Sequence, residues 1–422
     1  MEHIVINGGS RLSGKITVSG MKNAALPIIF ASILAEDVCV IENLPEIKDV
    51  TSSLEILRAM GAEIEMLDRT TVRIDTTHII CGSAPYDLST KLRGSYYVLG
   101  AEISRFGKSR SAVPGGCDFG VRPIDLHIKG FESLGAEVCI EDGCIACDCH
   151  GRPVGSPVYL DIESVGATIN IMMAACKAEG VTIIDNAARE PHIVDLANFL
   201  NACGADITGA GTNVIKIKGV KHLHGVTYAI IPDMIEAGTY MIAAAATKSR
   251  LIIDNVIPKH LESVTAKLIE MGCSVEEGDE QVIVDGRCEL RPVRIKTLPY
   301  PGFPTDMNPQ MGVLMCLANG TSIMTEGVFD NRFRYTAELA KMGGEITVDG
   351  RVCKIEGKGS LKNAVVKAVD LRAGAAMVIA GLAAEGRTVI EDIRYIQRGY
   401  EDIVGKLCGV GADIFLEEVP EA

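Results

Sequence analysis

The chain has 422 residues, room for two or three domains, and its 47% hydrophobic and 23% charged content is that of a soluble protein with substantial cores. Its formal charge of −14, from 41 Lys and Arg against 55 Asp and Glu, argues against non-specific nucleic-acid binding and leaves room for small anions at locally clustered cations. No apolar run reaches the roughly 18 residues that a membrane span needs, and 14 cysteines behind a start without signal-peptide character read as reduced cytoplasmic thiols.

In chain order, residues 3–18 read as a first strand without a local partner, expected to pair with the last part of the chain. Ser19-Gly20-Met21-Lys22-Asn23 then precedes a first apolar helix, and a charged, amphipathic helix over 52–60 runs into Met60-Gly61-Ala62-Glu63-Ile64. That phrase returns as Leu134-Gly135-Ala136, Cys203-Gly204-Ala205, Met271-Gly272-Cys273, Met342-Gly343-Gly344 and Val410-Gly411-Ala412, at intervals of roughly 70 residues. Glycine suits the left-handed residue that ends a helix, and the alternation after it suits a half-buried strand. A second recurring element is a helix of small residues followed by a strand: 166–178 with 181–186, 238–246 with 251–255, and 374–384 with 388–392. Helices so poor in polar surface are expected at a core, and charged ones such as 52–60 and 261–271 nearer solvent.

Each 70-residue unit is an α/β module unable to bury its own apolar faces. Six modules exceed one core, so two domains of three are expected. One is discontinuous, 1–21 plus 231–422; the other is 22–230, and the active site is expected in the cleft between them.

Two cysteine segments have chemical interest. Cys144-Ile145-Ala146-Cys147-Asp148-Cys149-His150 has metal-like spacing, but as a strand it turns Cys144 and Cys147 to opposite faces, which favours cysteine as a small strand hydrophobe. Val113-Pro114-Gly115-Gly116-Cys117-Asp118-Phe119-Gly120 is a loop in which the thiol is not core filler; Cys117 is a candidate reactive group, with an inert loop cysteine as the alternative. Lys22, Arg93 and Arg372 each precede a small-residue helix, whose amino end favours anions. Cations at equivalent points of a repeated module suggest convergence on an anionic ligand.

Taken together, Ser-Gly-Met-Lys22-Asn23, Leu-Pro-Glu-Ile-Lys48-Asp, Pro-Gly-Gly-Cys117, Arg122-Pro-Ile-Asp-Leu-His127, Phe-Pro-Thr-Asp306-Met, Asn-Arg332-Phe, Asp370-Leu-Arg372 and Arg398-Gly-Tyr-Glu resemble the UDP-N-acetylglucosamine enolpyruvyl transferases. The likeness is collinear over the whole chain. It implies an inside-out α/β barrel fold of two three-module domains, and the first committed reaction of peptidoglycan synthesis in cell-wall biogenesis. In that reaction the enolpyruvyl group of phosphoenolpyruvate passes to the 3-hydroxyl of UDP-N-acetylglucosamine, by addition and elimination through a tetrahedral ketal. No metal or organic cofactor is implied, nor any nucleic-acid or membrane partner, and the oligomeric state is left open.

The same resemblance implies the site. Cys117, on a lid loop, is the acid at C3 of phosphoenolpyruvate and the target of fosfomycin; Asp306 is the base at the sugar hydroxyl. Lys22 and Arg398 complete the catalytic set. Lys22, Asn23, Arg122, Arg332, Asp370, Arg372 and Arg398 surround phosphoenolpyruvate. Arg93, the run Arg122, Pro123, Ile124, Asp125 and Leu126, then Ser164, Val165, Gly166, Asp306 and Val328 contact the nucleotide sugar. The chain departs from the family pattern at Tyr395-Ile396-Gln397, where His-Ile-Asp is frequent, at Asp330 for Glu, and at His192 for an acid. The sister enzymes acting on shikimate 3-phosphate share the fold but lack the Pro-Gly-Gly-Cys lid and begin Gly-Ser-Lys-Ser. A non-catalytic clamp built of similar modules would need a basic lining.

Overall fold

Six glycines set the rhythm of the chain. In the computed structural model, which describes residues 2–113 and 124–418, Gly61, Gly135, Gly204, Gly272, Gly343 and Gly411 all have φ between 90° and 107°. The residue after each donates its amide to the carbonyl five places earlier: Ala62 to Leu57, Ala136 to Phe131, Ala205 to Leu200, Cys273 to Leu268, Gly344 to Leu339 and Ala412 to Leu407, at 2.9–3.1 Å. This bond closes a helix through one left-handed residue, a conformation glycine enters without steric cost. The repeated phrase is therefore a repeated helix stop.

The main helices in chain order are α1 (Lys22–Ala31), α2 (Lys48–Ala59), α3 (Tyr97–Phe106), α4 (Asp125–Ser133), α5 (Val165–Ala175) and α6 (Pro191–Ala202). They continue with α7 (Met234–Ala246), α8 (Glu262–Glu270), α9 (Asn308–Leu317), α10 (Thr336–Lys341), α11 (Leu371–Ala383) and α12 (Ile403–Cys408). Odd and even helices differ in kind. Every residue of α7 and α9 is buried, as is all of α11 but its last residue. The even helices end in the glycine stop and are amphipathic; α2 buries Val50, Leu54 and Leu57 while Glu55 and Arg58 face solvent. Small side chains let the odd helices pack closely, and the sheets cover them.

The described residues form two units, one taking the chain to Ser19 and again from Pro232, the other running from Gly20 to Ile231. Each holds three sheets, six in all among the described residues. In the Gly20–Ile231 unit the central strands are Val38–Glu42, Cys144–Asp148 and Val181–Asp185 with their antiparallel partners. In the other unit α7, α9 and α11 pack on one another, and the sheets are built on Arg250–Asp254, Asn319–Thr325 and Gly386–Glu391.

The expected first strand over 3–18 is two strands. Glu2–Gly8 lies antiparallel between Gly386–Glu391 and Asp413–Glu418, in the last module as expected. Ser13–Thr17 instead pairs parallel with Arg250–Asp254. The break begins at Gly9, whose φ of 92° leaves the extended region and frees the second half to join another sheet.

In Cys144–Asp148, Ile145 and Cys147 share the buried face while Cys144 lies on the other. Burial pushes the Cys147 thiol up to about 12, so it is protonated and inert at neutral pH. Among the described residues no helix is long and apolar enough to cross a membrane.

Candidate active site

In the Gly20–Ile231 unit, Lys22 is the first residue of α1 and Asp49 the second of α2. Their side chains, each about one-tenth exposed, meet at 2.7 Å between Nζ and Oδ2. This buried ammonium stands at the amino end of α1, which has no side-chain cap. Asn23 is half-buried beside it.

A second group in this unit gathers around an aromatic contact. Arg93 opens the short turn Arg93–Tyr96, and its guanidinium carbon lies 5.7 Å from the Tyr96 ring centre. Tyr96 meets His127 edge-on at 5.0 Å. Gly166, in the first turn of α5, approaches both so closely that a Cβ there would stand 2.6 Å from Tyr96 Oη and 2.9 Å from His127 Nε2. Ser164 caps α5, its hydroxyl accepting from the Ala167 amide at 3.3 Å, with Val165 between cap and glycine. Burial, and then the Arg93 charge, push His127 down to about 4, so the ring is neutral at pH 7. Ile124 precedes α4, whose Asp125 is exposed and Leu126 buried. Arg93, His127 and Ser164 to Gly166 are thus brought together. Cys117, Arg122 and Pro123 lie outside the described residues.

In the other unit the organising residue is Asp306, in the single turn Thr305–Met307 ahead of α9. Its Oδ1 faces Arg332 Nη2 at 3.4 Å and its Oδ2 accepts from Arg372 Nε at 3.1 Å. The two arginine side chains are 1% and 4% exposed, whereas Asp306 keeps 29% of its side chain open. One partly open carboxylate therefore sits between two buried cations. Arg332 Nε also donates to the Thr305 carbonyl at 3.1 Å, which fixes its fork.

Asp370 caps α11, its Oδ1 accepting from the Arg372 and Ala373 amides at 2.8 and 2.9 Å. Asp370 Oδ2 and Arg372 Nη1 are buried and make no hydrogen bond among the described residues. Such atoms are costly to leave unmatched, and they mark where a ligand would repay the cost. Val328 is placed by Glu326, whose Oε1 accepts from the Val328 and Phe329 amides at 2.9 and 3.1 Å. The Oε2 of the same carboxylate accepts from Asn308 at 2.7 Å and Thr305 at 3.1 Å. Arg398 ends the turn Ile393–Arg398 and is half-buried.

Sequence reading missed Asp49, Tyr96 and Glu326. None has a local signal: Asp49 and Tyr96 matter through the distant residues Lys22 and His127, and Glu326 through the turn it pins.

A family model described as EPSP synthase (3-phosphoshikimate 1-carboxyvinyltransferase) matches residues 6–407. The chain is 53% identical over 414 residues to "UDP-N-acetylglucosamine 1-carboxyvinyltransferase 3" of Caldanaerobacter subterraneus subsp. tengcongensis, covering 98% of this chain and 99% of that one. It is 50% identical over 422 residues to "UDP-N-acetylglucosamine 1-carboxyvinyltransferase 2" of Bacillus subtilis, covering 100% and 98%. Among solved structures, the enolpyruvyl transferase NikO from Streptomyces tendae superposes with a TM-score of 0.88 at 28% identity over 99% of both chains. EPSP synthase from Acinetobacter baumannii gives 0.78 at 20% identity over 99% of this chain and 100% of that one, a likeness of fold alone. The fold is that of the enolpyruvyl transferases, the inside-out α/β barrel of six modules. The chain belongs to the EPSP synthase (3-phosphoshikimate 1-carboxyvinyltransferase) family and, within it, to the UDP-N-acetylglucosamine 1-carboxyvinyltransferases.

Proposed function

We propose that this protein transfers the enolpyruvyl group of phosphoenolpyruvate to the 3-hydroxyl of UDP-N-acetylglucosamine and releases phosphate, the first committed step of peptidoglycan synthesis, in the cytoplasm. The observation that carries the reading is the Asp306 carboxylate held between two buried guanidiniums, in a chain that matches named transferases of this kind from end to end. Phosphoenolpyruvate brings a carboxylate and a phosphate, and several fixed cations are needed to hold them. On this reading Lys22, Arg122, Arg332, Arg372 and Arg398 supply the charge, and Asn23 and Asp370 orient the reacting groups.

The chemistry assigns the rest. Cys117 gives a proton to C3, which makes C2 electrophilic. The sugar hydroxyl attacks C2 as Asp306 takes its proton, and the tetrahedral ketal forms. Elimination then returns a proton from C3 and expels phosphate, restoring the enol ether. On this reading the unmatched Nη1 of Arg372 supplies a donor for that anion. Arg93, Arg122 to Leu126, Ser164 to Gly166 and Val328 hold the nucleotide sugar.

The test is phosphate release with each substrate withheld in turn. Release is expected only with both present. Release from phosphoenolpyruvate alone, or a requirement for shikimate 3-phosphate, overturns the reading. Fosfomycin is expected to inactivate the protein by adding one equivalent at Cys117. Peptide mass spectrometry placing the adduct on another of the 14 cysteines removes Cys117 from its role.

A further inference from the structure

We propose that Tyr400 is a positioning residue for phosphoenolpyruvate, setting the Arg372 guanidinium from beneath and anchoring the segment that carries Arg398. The proposal deepens the function above and rests on it. Tyr400 is 3% exposed and lies among three of the buried helices, in contact with Thr239 of α7, Gln310 of α9 and Arg372 of α11.

The hydrogens of this cluster can be assigned. Thr239 Oγ1 lies 2.7 Å from the Ile235 carbonyl, which can only accept, so the threonine proton goes there. Toward Tyr400, 2.9 Å away, Thr239 is then an acceptor, and the phenol proton points at Thr239. Gln310 Nε2, 3.2 Å from both oxygens, adds a donor on the same side. Both the proton and the ring are therefore fixed, and a lone pair of the phenol is left for Arg372.

Arg372 is held on two sides. Its guanidinium carbon stands 5.4 Å from the Tyr400 ring centre, while its Nε donates to Asp306. Attraction to Asp306, to the Tyr400 oxygen and to Asp233 secures its charge against burial. What remains is Nη1, buried and without a hydrogen bond among the described residues. A guanidinium fixed at its edge and face presents its last donors in one direction, which lowers the ordering cost of gripping a planar anion. Tyr400 also lies two residues beyond Arg398, and its amide bonds to the Ile396 carbonyl at 3.0 Å, so the same buried ring pins the turn Ile393–Arg398.

The experiment compares Tyr400→Phe and Thr239→Val with the parent in full-length protein, by steady-state phosphate release with each substrate varied in turn. For Tyr400→Phe the KM for phosphoenolpyruvate is expected to rise about tenfold, the loss of one hydrogen bond to a charged group. The KM for UDP-N-acetylglucosamine should stay within about twofold, since Arg372 reaches that substrate only through Asp306. Thr239→Val, which removes the acceptor that orients the phenol, should shift the same constant in the same direction and add little in the double variant. An unchanged KM for phosphoenolpyruvate in a folded Tyr400→Phe protein overturns the proposal. So does an equal loss for both substrates, the mark of a merely structural role. If Tyr400→Phe does not fold, Thr239→Val decides in the same way. A parent protein that releases no phosphate with the substrate pair refutes the proposed function instead.

Discussion

Replacing Asp306 by Asn is expected to lower kcat by about 10²- to 10⁴-fold while UDP-N-acetylglucosamine binding survives. The amide keeps one oxygen that can accept from Arg372 Nε, 3.1 Å away, and turns its NH2 toward Arg332 Nη2 at the weaker, 3.4 Å contact, so most of the geometry of the turn Thr305–Met307 is retained. What it loses is the ability to take a proton, and removal of a general base typically costs a factor of that size. Calorimetric titration with the nucleotide sugar, beside the phosphate assay, separates the two effects. Wild-type turnover by Asp306→Asn excludes Asp306 as the base; a parallel loss of sugar affinity makes its role one of binding.

The largest stability effect is expected away from this chemistry, at Lys406→Met. Glu236, in the first turn of α7 and 2% exposed, meets Lys406 Nζ at 2.6 Å; it also accepts from the Ser19 amide at 2.8 Å and from Tyr240 Oη at 3.1 Å. Methionine matches the lysine stem but leaves a buried carboxylate without its cation, a change that costs about 3–5 kcal/mol. Burial already raises the Glu236 carboxyl, offset in part by Lys406, with Asp233 raising it too. Without the lysine it rises further, so over the interval between its unfolded and folded values the native state binds more protons than the unfolded one. Stability of the variant then falls as pH increases through that interval and recovers as pH is lowered. Urea unfolding at pH 8 and pH 5 should show a deficit that narrows in acid. A deficit equal at both values assigns the loss to packing rather than charge.

The helix stops were legible because a left-handed glycine is a local requirement: Gly61 and its five counterparts could be found by spacing alone, and all have positive φ. Burial of α7 and α11 was legible from the small residues of 238–246 and 374–384, which leave little polar surface. The split of the first strand was not, because Gly9 differs in sequence from no other strand-end glycine, and the partner of Ser13–Thr17 lies some 240 residues away. The site divides along the same line. Residue types and family phrases named Asp306 and Arg372, yet their 3.1 Å contact spans 66 positions and depends on where α9 and α11 begin. Glu326 and Tyr400 act by hydrogen bonds to other turns and helices, a property that composition and period do not carry.

The strand Glu2–Gly8 has a consequence for the order in which the molecule is made. It lies inside its sheet, flanked by Gly386–Glu391 and Asp413–Glu418, and Asn7 bonds to Asp413 across 406 positions. On the ribosome the stretch Gly20–Ile231 has all its own parts once Ile231 has been added. The strand Glu2–Gly8 must wait with bare edges until Gly386–Glu391 and Asp413–Glu418 have been made, and such edges are sticky. That strand is therefore open to wrong pairing for as long as synthesis of its two neighbours takes.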